Sequence, residues 1–240
     1  FRSVSVAIFE LGAVVLAHPR CVISQPAMAA LMGANVPLLV CDDAFLPSGL
    51  MLPLRANALS SQRMQAQAAA KLPLRKRLWQ SIVRAKVRAQ AAALTGLHQN
   101  DGGLVGLVRL VTSGDPANIE ARAAQRYWPL LFRDDQFRRR FEADDQNRLL
   151  NYGYAVLLST VLQKLYGFGL DPMVGISHAI RERSAPLAYD LMEPFRPCVD
   201  WRIYQWVKDR PQAEAFAVTG EFRRWVTGFS LERVDYLGLE

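Results

Sequence analysis

Around Ala56 the sequence changes texture, and that change constrains the fold more than any other feature. Ahead of it stand short runs rich in Val, Ile and Leu, "SVAIF", "GAVVLA", "CVIS" and "VPLLVCDD", separated by turn-prone residues such as His18-Pro19. Runs of that length and composition predict strands. Between the last two, "QPAMAALMGAN" carries a proline near its start and Gly33 near its end, the punctuation of one short helix. After "RANALSSQ", read as a linker, come long Ala, Gln, Leu and Arg stretches with helical spacing. In the first of these, Leu78, Ile82, Ala85 and Ala89 predict one apolar stripe, and Arg77, Arg84 and Arg88 a separate one. The expected class is α+β: a small β-rich domain over 1–58, followed by a larger all-helical domain over 59–240.

With 240 residues, 51% of them hydrophobic, the chain can bury a sizeable core. No apolar run approaches the roughly 18 to 20 residues of a membrane span, and the beginning lacks the marks of a signal peptide, so a cytoplasmic protein with no membrane partner is expected. Three cysteines, Cys21, Cys41 and Cys198, are far apart and odd in number. They offer neither a disulfide framework nor a CxxC zinc site and read as buried thiols.

The net charge of +7 is unevenly spread, with no Asp or Glu from Ala44 to Asn100. Lys76, Arg77, Arg84, Lys86 and Arg88 all fall in that segment. Unscreened positive charge favours a polyanion, because each neutralised phosphate releases condensed counterions. A solvated helix face answered by acids elsewhere in the fold is the competing reading.

Three stretches carry groups suited to chemistry. In "SGDPANIEARAAQRYWPLLF", Glu120 sits among alanines small enough for close helix packing, so its carboxylate is expected to be partly buried and to need a cation, Arg126 or a metal. An ordinary surface glutamate is the alternative. In "DDQNRLLNYGYAVLLSTVLQ", Asn147, Asn151 and Tyr154 share one helical face and can bind phosphate oxygens or fix a neighbouring carboxylate. In "GLDPMVGISHAIRERSAPLAYDLMEPFRPCVD", Asp190 and Glu193 share a face if the segment is helical, and Pro194 and Pro197 end that helix. His178 reaches these acids only if the chain folds back, with "ERSA" as the turn. Two oxygens and an imidazole, Glu120 supplying one of the oxygens, suit Mg²⁺ or Mn²⁺ better than structural zinc. For His178 alone, and for His18 and His98, a histidine satisfied within the core is the competing reading.

The blocks "SGDPANIEARAAQRYW", "NRLLNYGYAVL", "GLDPMVGISHA" and "LAYDLMEPFRPCVD", in that order, resemble the CRISPR-associated integrase family of spacer acquisition (Cas-one), with a flavour closest to type II systems. The front segment "CVISQPAMAALMGANVPLLVCDDAFLPSGLMLPL" is similar to that family's amino-terminal β domain. The family's pattern has strands ahead of "FRSV", and the sequence breaks off at "DYLGLE", so a fragment missing pieces at both ends is expected.

The resemblance implies a metal-dependent DNA endonuclease and integrase. In its reaction the 3′-hydroxyl of a captured fragment (the protospacer) attacks a phosphodiester at the end of a CRISPR repeat. It implies Glu120, His178 and Glu193 as catalytic metal ligands converging on one Mg²⁺ or Mn²⁺. Asp190 would aid a second ion or hold His178, Arg196 and Asp200 would brace the loop of Glu193, and Asn151 would support the site. Double-stranded DNA would lie on Arg77, Arg84, Arg88, Lys76, Lys86 and Tyr154. The implied assembly is a homodimer built by the β domain, with a small adaptor (Cas-two) bridging two dimers. A DNA-binding scaffold without chemistry and the related transposase of mobile elements are the alternatives.

Overall fold

The strand-rich beginning folds as a β-α-β unit with one added strand. Val14–Leu16 (β1) and Leu38–Cys41 (β2) pair in parallel, and Pro47–Met51 (β3) runs antiparallel along the other side of β2. A computed structural model describes residues 5–43, 45, 47–54, 58–142, 144–178 and 185–228, and the structural statements below concern those residues. A parallel pair needs a crossover, which the helix Gln25–Gly33 (α1) provides. Ser24 caps α1 by accepting the Ala27 amide at 3.3 Å, and Pro26 occupies the first turn, where no amide is needed. Leu38 and Leu39 point to opposite faces and are both buried, as a central strand requires.

Three expectations for this region change. "SVAIF" contributes a single 3₁₀ turn, Ile8–Glu10, and "CVIS" joins no ladder but leads into α1. The strand unread in the sequence is β3, "PSGLM", whose Pro47 and Gly49 hide it. As an edge strand it tolerates a proline at its first residue, and a bulge between Val40 and Cys41 absorbs the irregular start. The thiols are also less buried than expected, Cys21 being exposed and Cys41 and Cys198 half-buried.

The remainder is helical: Ser60–Ala68 (α2), Leu72–His98 (α3), Leu104–Val108 (α4), Ile119–Phe132 (α5) and Gln146–Gly167 (α6). Pro186–Met192 (α7), a 3₁₀ turn Glu193–Phe195, Arg196–Val207 (α8), Gln212–Ala215 (α9) and Gly220–Thr227 (α10) follow. Besides the small cluster of Leu31, Val36 and Leu38 in the β-α-β unit, two larger apolar clusters form among the described residues. One is built on α3, α4 and α5; the other surrounds α6, which is buried on nearly every side, and takes in α7, α8 and α10. Trp128, Phe132, Ile176 and Leu191 pack against both. The inner face of α3 is Trp79, Ile82, Val83, Val87, Gln90 and Leu94, rotated by about one residue from the predicted stripe, so that Leu78 remains 42% exposed. No described helix is long and apolar enough to cross a membrane.

Candidate active site

The rotation of α3 carries Lys86 inward. Its ammonium lies 2.5 Å from Oε1 of Glu120 and 2.5 Å from Oε2 of Glu193, so carboxylates from two other elements meet on one cation. Each is fixed by local structure. Glu120 stands in the first turn of α5, whose start is held by Asp115, which accepts the amides of Ile119 at 3.0 Å and Glu120 at 2.9 Å. Asp115 and Asn118 hold positive φ values of 50° and 49° there, an uncommon backbone for residues other than glycine. Glu193 opens the 3₁₀ turn between α7 and α8, where Pro194 has no amide with which to continue α7.

On its other oxygen, Oε1, Glu193 meets Nε of Arg196 at 2.9 Å. Oε2 of Glu193 and Nε of Arg196 make these approaches as ion pairs without the alignment of a hydrogen bond. Two anions and two cations thus balance, with the Glu193 side chain 7% exposed and that of Glu120 30%. Burial pushes the Glu193 carboxyl up, but Arg196 and Lys86 outweigh it and hold it at about 2. Burial likewise lowers the Lys86 ammonium, and Glu193 and Glu120 more than reverse that.

His178 reaches the centre by way of Asp190. The fully buried Asp190 carboxylate accepts the amides of Ile176 at 2.5 Å, Ser177 at 3.0 Å and His178 at 3.2 Å, and meets Nδ1 of the His178 ring at 2.7 Å. The chain does fold back, although most of the expected "ERSA" turn lies outside the described residues. Nε2 is left as the ring nitrogen not engaged by Asp190. Among the described residues no group of three or more His, Cys, Asp or Glu gathers at metal-ligand spacing. The structure therefore brings Glu120 and Glu193 together on an ammonium, while His178 is held on Asp190, three residues before Glu193 in the chain.

Behind this centre Asp200 accepts the hydroxyls of Tyr127 at 3.1 Å and Tyr154 at 2.5 Å. Two guanidiniums lie over the Tyr154 ring, Arg196 at 4.5 Å and Arg139 at 5.3 Å. Burial pushes the Asp200 carboxyl up to about 7, against the pull of the two hydroxyls and both arginines. Its folded value thus exceeds the unfolded value of about 3.9. Stability from the protonated form is complete below that lower value and is lost as pH rises through 7. Melting temperature should accordingly fall between pH 5 and about 7 more steeply in the wild type than in Asp200→Asn; parallel curves would show that Asp200 does not titrate there.

Several expected roles are corrected. Lys86 and Tyr154 are buried rather than offered to phosphates, one clasped by two glutamates and the other bonded to Asp200. The cation beside Glu120 is Lys86, while Arg126 turns to the carbonyl of Gly102. Asn151 engages Arg139 and the backbone, its Oδ1 accepting from Arg139 at 2.7 Å and its amide donating to the Phe141 carbonyl. Arg84 is half-buried and donates to the Val111 carbonyl, whereas Lys76, Arg77 and Arg88 are exposed. His98 sits against the Leu131 carbonyl, as expected of a core histidine, but His18 is exposed. Asp115 and Arg139 went unread, and the one signal for Lys86 was its place among Ile82, Val83, Val87 and Ala89. A cavity of about 740 Å³ leads from Glu120 past Ala121, Ala124 and Trp128 to Arg138 and Arg139.

The family model described as CRISPR associated protein Cas1 matches residues 2–227. A CRISPR-associated endonuclease Cas1 of Neisseria meningitidis serogroup C is 34% identical over 207 residues, 84% of this chain and 66% of the relative, so the chain spans just under two thirds of that protein. A CAS1 protein from Thermotoga maritima shares the fold at TM-score 0.76 and 15% identity, over 98% of this chain and 83% of the other. A casposase bound to integration product does so at TM-score 0.72 and 23% identity, over 91% and 69%. With the family match running over nearly its whole length, the chain belongs to the Cas1 family of CRISPR-associated proteins.

Proposed function

We propose that this chain is a divalent-metal-dependent DNA endonuclease and integrase that inserts captured foreign DNA fragments into a CRISPR array. The observation that carries the reading is the closure of Glu120 and Glu193, remote in sequence, on one positive charge, with His178 held by Asp190 three residues before Glu193. Two carboxylates and an imidazole fit a hard divalent ion, and the Lys86 ammonium is a stand-in for one. Oε2 of Glu193, buried with the Lys86 ammonium against it, is the kind of acceptor a metal ion would take over.

Glu120, Glu193 and Nε2 of His178 are the residues that would hold Mg²⁺ or Mn²⁺. When bound, such an ion supplies Lewis-acid polarisation of the phosphoryl oxygen and eases deprotonation of the attacking hydroxyl. Asp190, by accepting a hydrogen bond from the Nδ1–H tautomer, leaves the lone pair on Nε2. Arg196 keeps Glu193 ionised and in place. In the reaction, the 3′-oxygen of the fragment forms a bond to phosphorus as the phosphodiester bond on the far side breaks. The departing strand keeps a 3′-hydroxyl and takes up the proton. Double-stranded DNA is the substrate on both sides. The assembly is a homodimer through the β-rich domain, 1–58, with the Cas-two adaptor bridging two dimers.

The test is a strand-transfer assay with a labelled protospacer, a repeat-containing target and the adaptor, in Mg²⁺ or Mn²⁺ and in chelator. Joined product only with the ion is expected; DNA binding without product in either ion would leave the scaffold reading standing. Arg77 and Arg88, exposed on one side of α3, are the phosphate-binding groups of this reading. Replacing both with Ala should reduce the slope of log affinity against log salt by about 0.9 for each phosphate that is no longer neutralised. An unchanged slope would make that stripe a solvated face.

A further inference from the structure

Of the two glutamates, Arg196 meets Glu193 alone, but Lys86 is shared between carboxylates carried by different elements. Its ammonium is buried within the apolar face of α3, a placement that is costly unless anions compensate it. Both compensating groups are oxygens that the proposed function assigns to a metal. The two sides of the centre differ in access. Lys86 enters from α3, while Glu120 keeps 30% exposure and lines the cavity that runs to Arg138 and Arg139. A cation arriving from solvent meets the carboxylates from the Glu120 side, opposite a lysine whose flexible four-carbon stem can swing aside without moving the helix.

We propose that Lys86 is the resident cation of this centre: its ammonium holds Glu120 and Glu193 at ligand spacing while no metal is bound, and gives way when a divalent ion takes the same two oxygens. This rests on the metal-dependent reading above. Two consequences separate it from an ordinary buried ion pair. Without the ammonium, the carboxylates repel, so the metal-free protein loses stability that a divalent ion restores. With it, ammonium and metal compete, so the native chain binds the ion less tightly than a chain lacking the charge.

The experiment is Mn²⁺ titration of the purified full chain, followed by electron paramagnetic resonance of free Mn²⁺, with melting measured in chelator and in Mn²⁺. Wild type, Lys86→Met and Glu120→Gln are compared. Lys86→Met should melt lower in chelator, bind Mn²⁺ about 10-fold more tightly, and gain more on Mn²⁺ addition than wild type, while Glu120→Gln should bind at least about 10-fold more weakly. Affinity in Lys86→Met equal to or below wild type overturns the role of Lys86. If Glu120→Gln loses the ion in that same experiment, the metal reading survives it. Absence of site-specific Mn²⁺ in wild type overturns both.

A second measurement needs no variant and holds even if Lys86→Met fails to fold. Acetylation of wild type by an amine-reactive ester, read by mass spectrometry, should rise several-fold at Lys86 when Mg²⁺ is added. The exposed Lys76 should be unaffected. Equal labelling of Lys86 with and without Mg²⁺ overturns the displacement.

Discussion

In Glu120→Ala, strand transfer is expected to vanish while DNA affinity stays within a few-fold of wild type. Removing the carboxylate takes away one anionic ligand and with it the stabilisation of charge developing on the phosphoryl group. The exposed arginines of α3 are untouched, and the centre becomes one charge more positive, which favours phosphate. Folding should survive. Glu120 is the more exposed of the two glutamates, and its favourable place in the first turn of α5 contributes only about 0.3–1 kcal/mol. Lys86 keeps Glu193 as a partner.

Glu193→Ala is a poorer probe, since it would leave Lys86 and Arg196 buried around a missing charge, a change that costs about 3–5 kcal/mol. Measuring both activities on one folded Glu120→Ala preparation decides the matter. Loss of both would indicate misfolding, and retained strand transfer would remove Glu120 from the chemistry.

The legible and illegible parts of this centre differ for a physical reason. Asp190, Glu193 and the prolines after them are close in sequence, so their relation follows from helix geometry and the missing proline amide. The cation of Glu120 was not legible, because it comes from another helix. Lys86 lies in a run of lysines and arginines that reads as a phosphate-binding or solvated face, and turning α3 by one residue is enough to bury it. Only tertiary packing, with α5 and the 3₁₀ turn of Glu193 against α3, decides which side of a basic amphipathic helix faces in. Tyr154 was misplaced for the same reason. Its face of α6 was correctly read as polar, but what it meets is Asp200, 46 residues away on α8. At the other end of the chain, β3 shows the limit of alternation as a signal, since an edge strand with Pro47 and Gly49 carries too little of it.

Gly175→Ala, the addition of one methyl group, is expected to lower strand transfer by about 100-fold, the effect of displacing a reacting group by about 1 Å. A Cβ at Gly175 would lie 2.5 Å from the His178 carbonyl oxygen, 2.7 Å from Cβ of Pro186 and 3.2 Å from Oδ2 of Asp190. Neither a backbone carbonyl nor a proline ring can rotate away, so the loop itself must lift. That loop carries the three amides and the imidazole that meet Asp190, and lifting it strips partners from a buried carboxylate. Stability should fall by about 2–4 kcal/mol, within the range for broken buried networks. Arg77 and Arg88, the phosphate-binding groups of the proposed function, are not among the groups the added methyl meets, so the loss should appear in the turnover rate with DNA affinity preserved. Gly96→Ala is the matched control. It lies within α3 with nothing within 4 Å of the added carbon, and should stabilise the helix by about 0.5–1 kcal/mol without touching activity. Wild-type strand transfer in Gly175→Ala would mean that the placement of His178 on Asp190 has no part in the reaction. Equal losses of DNA binding and turnover would assign the glycine to folding alone.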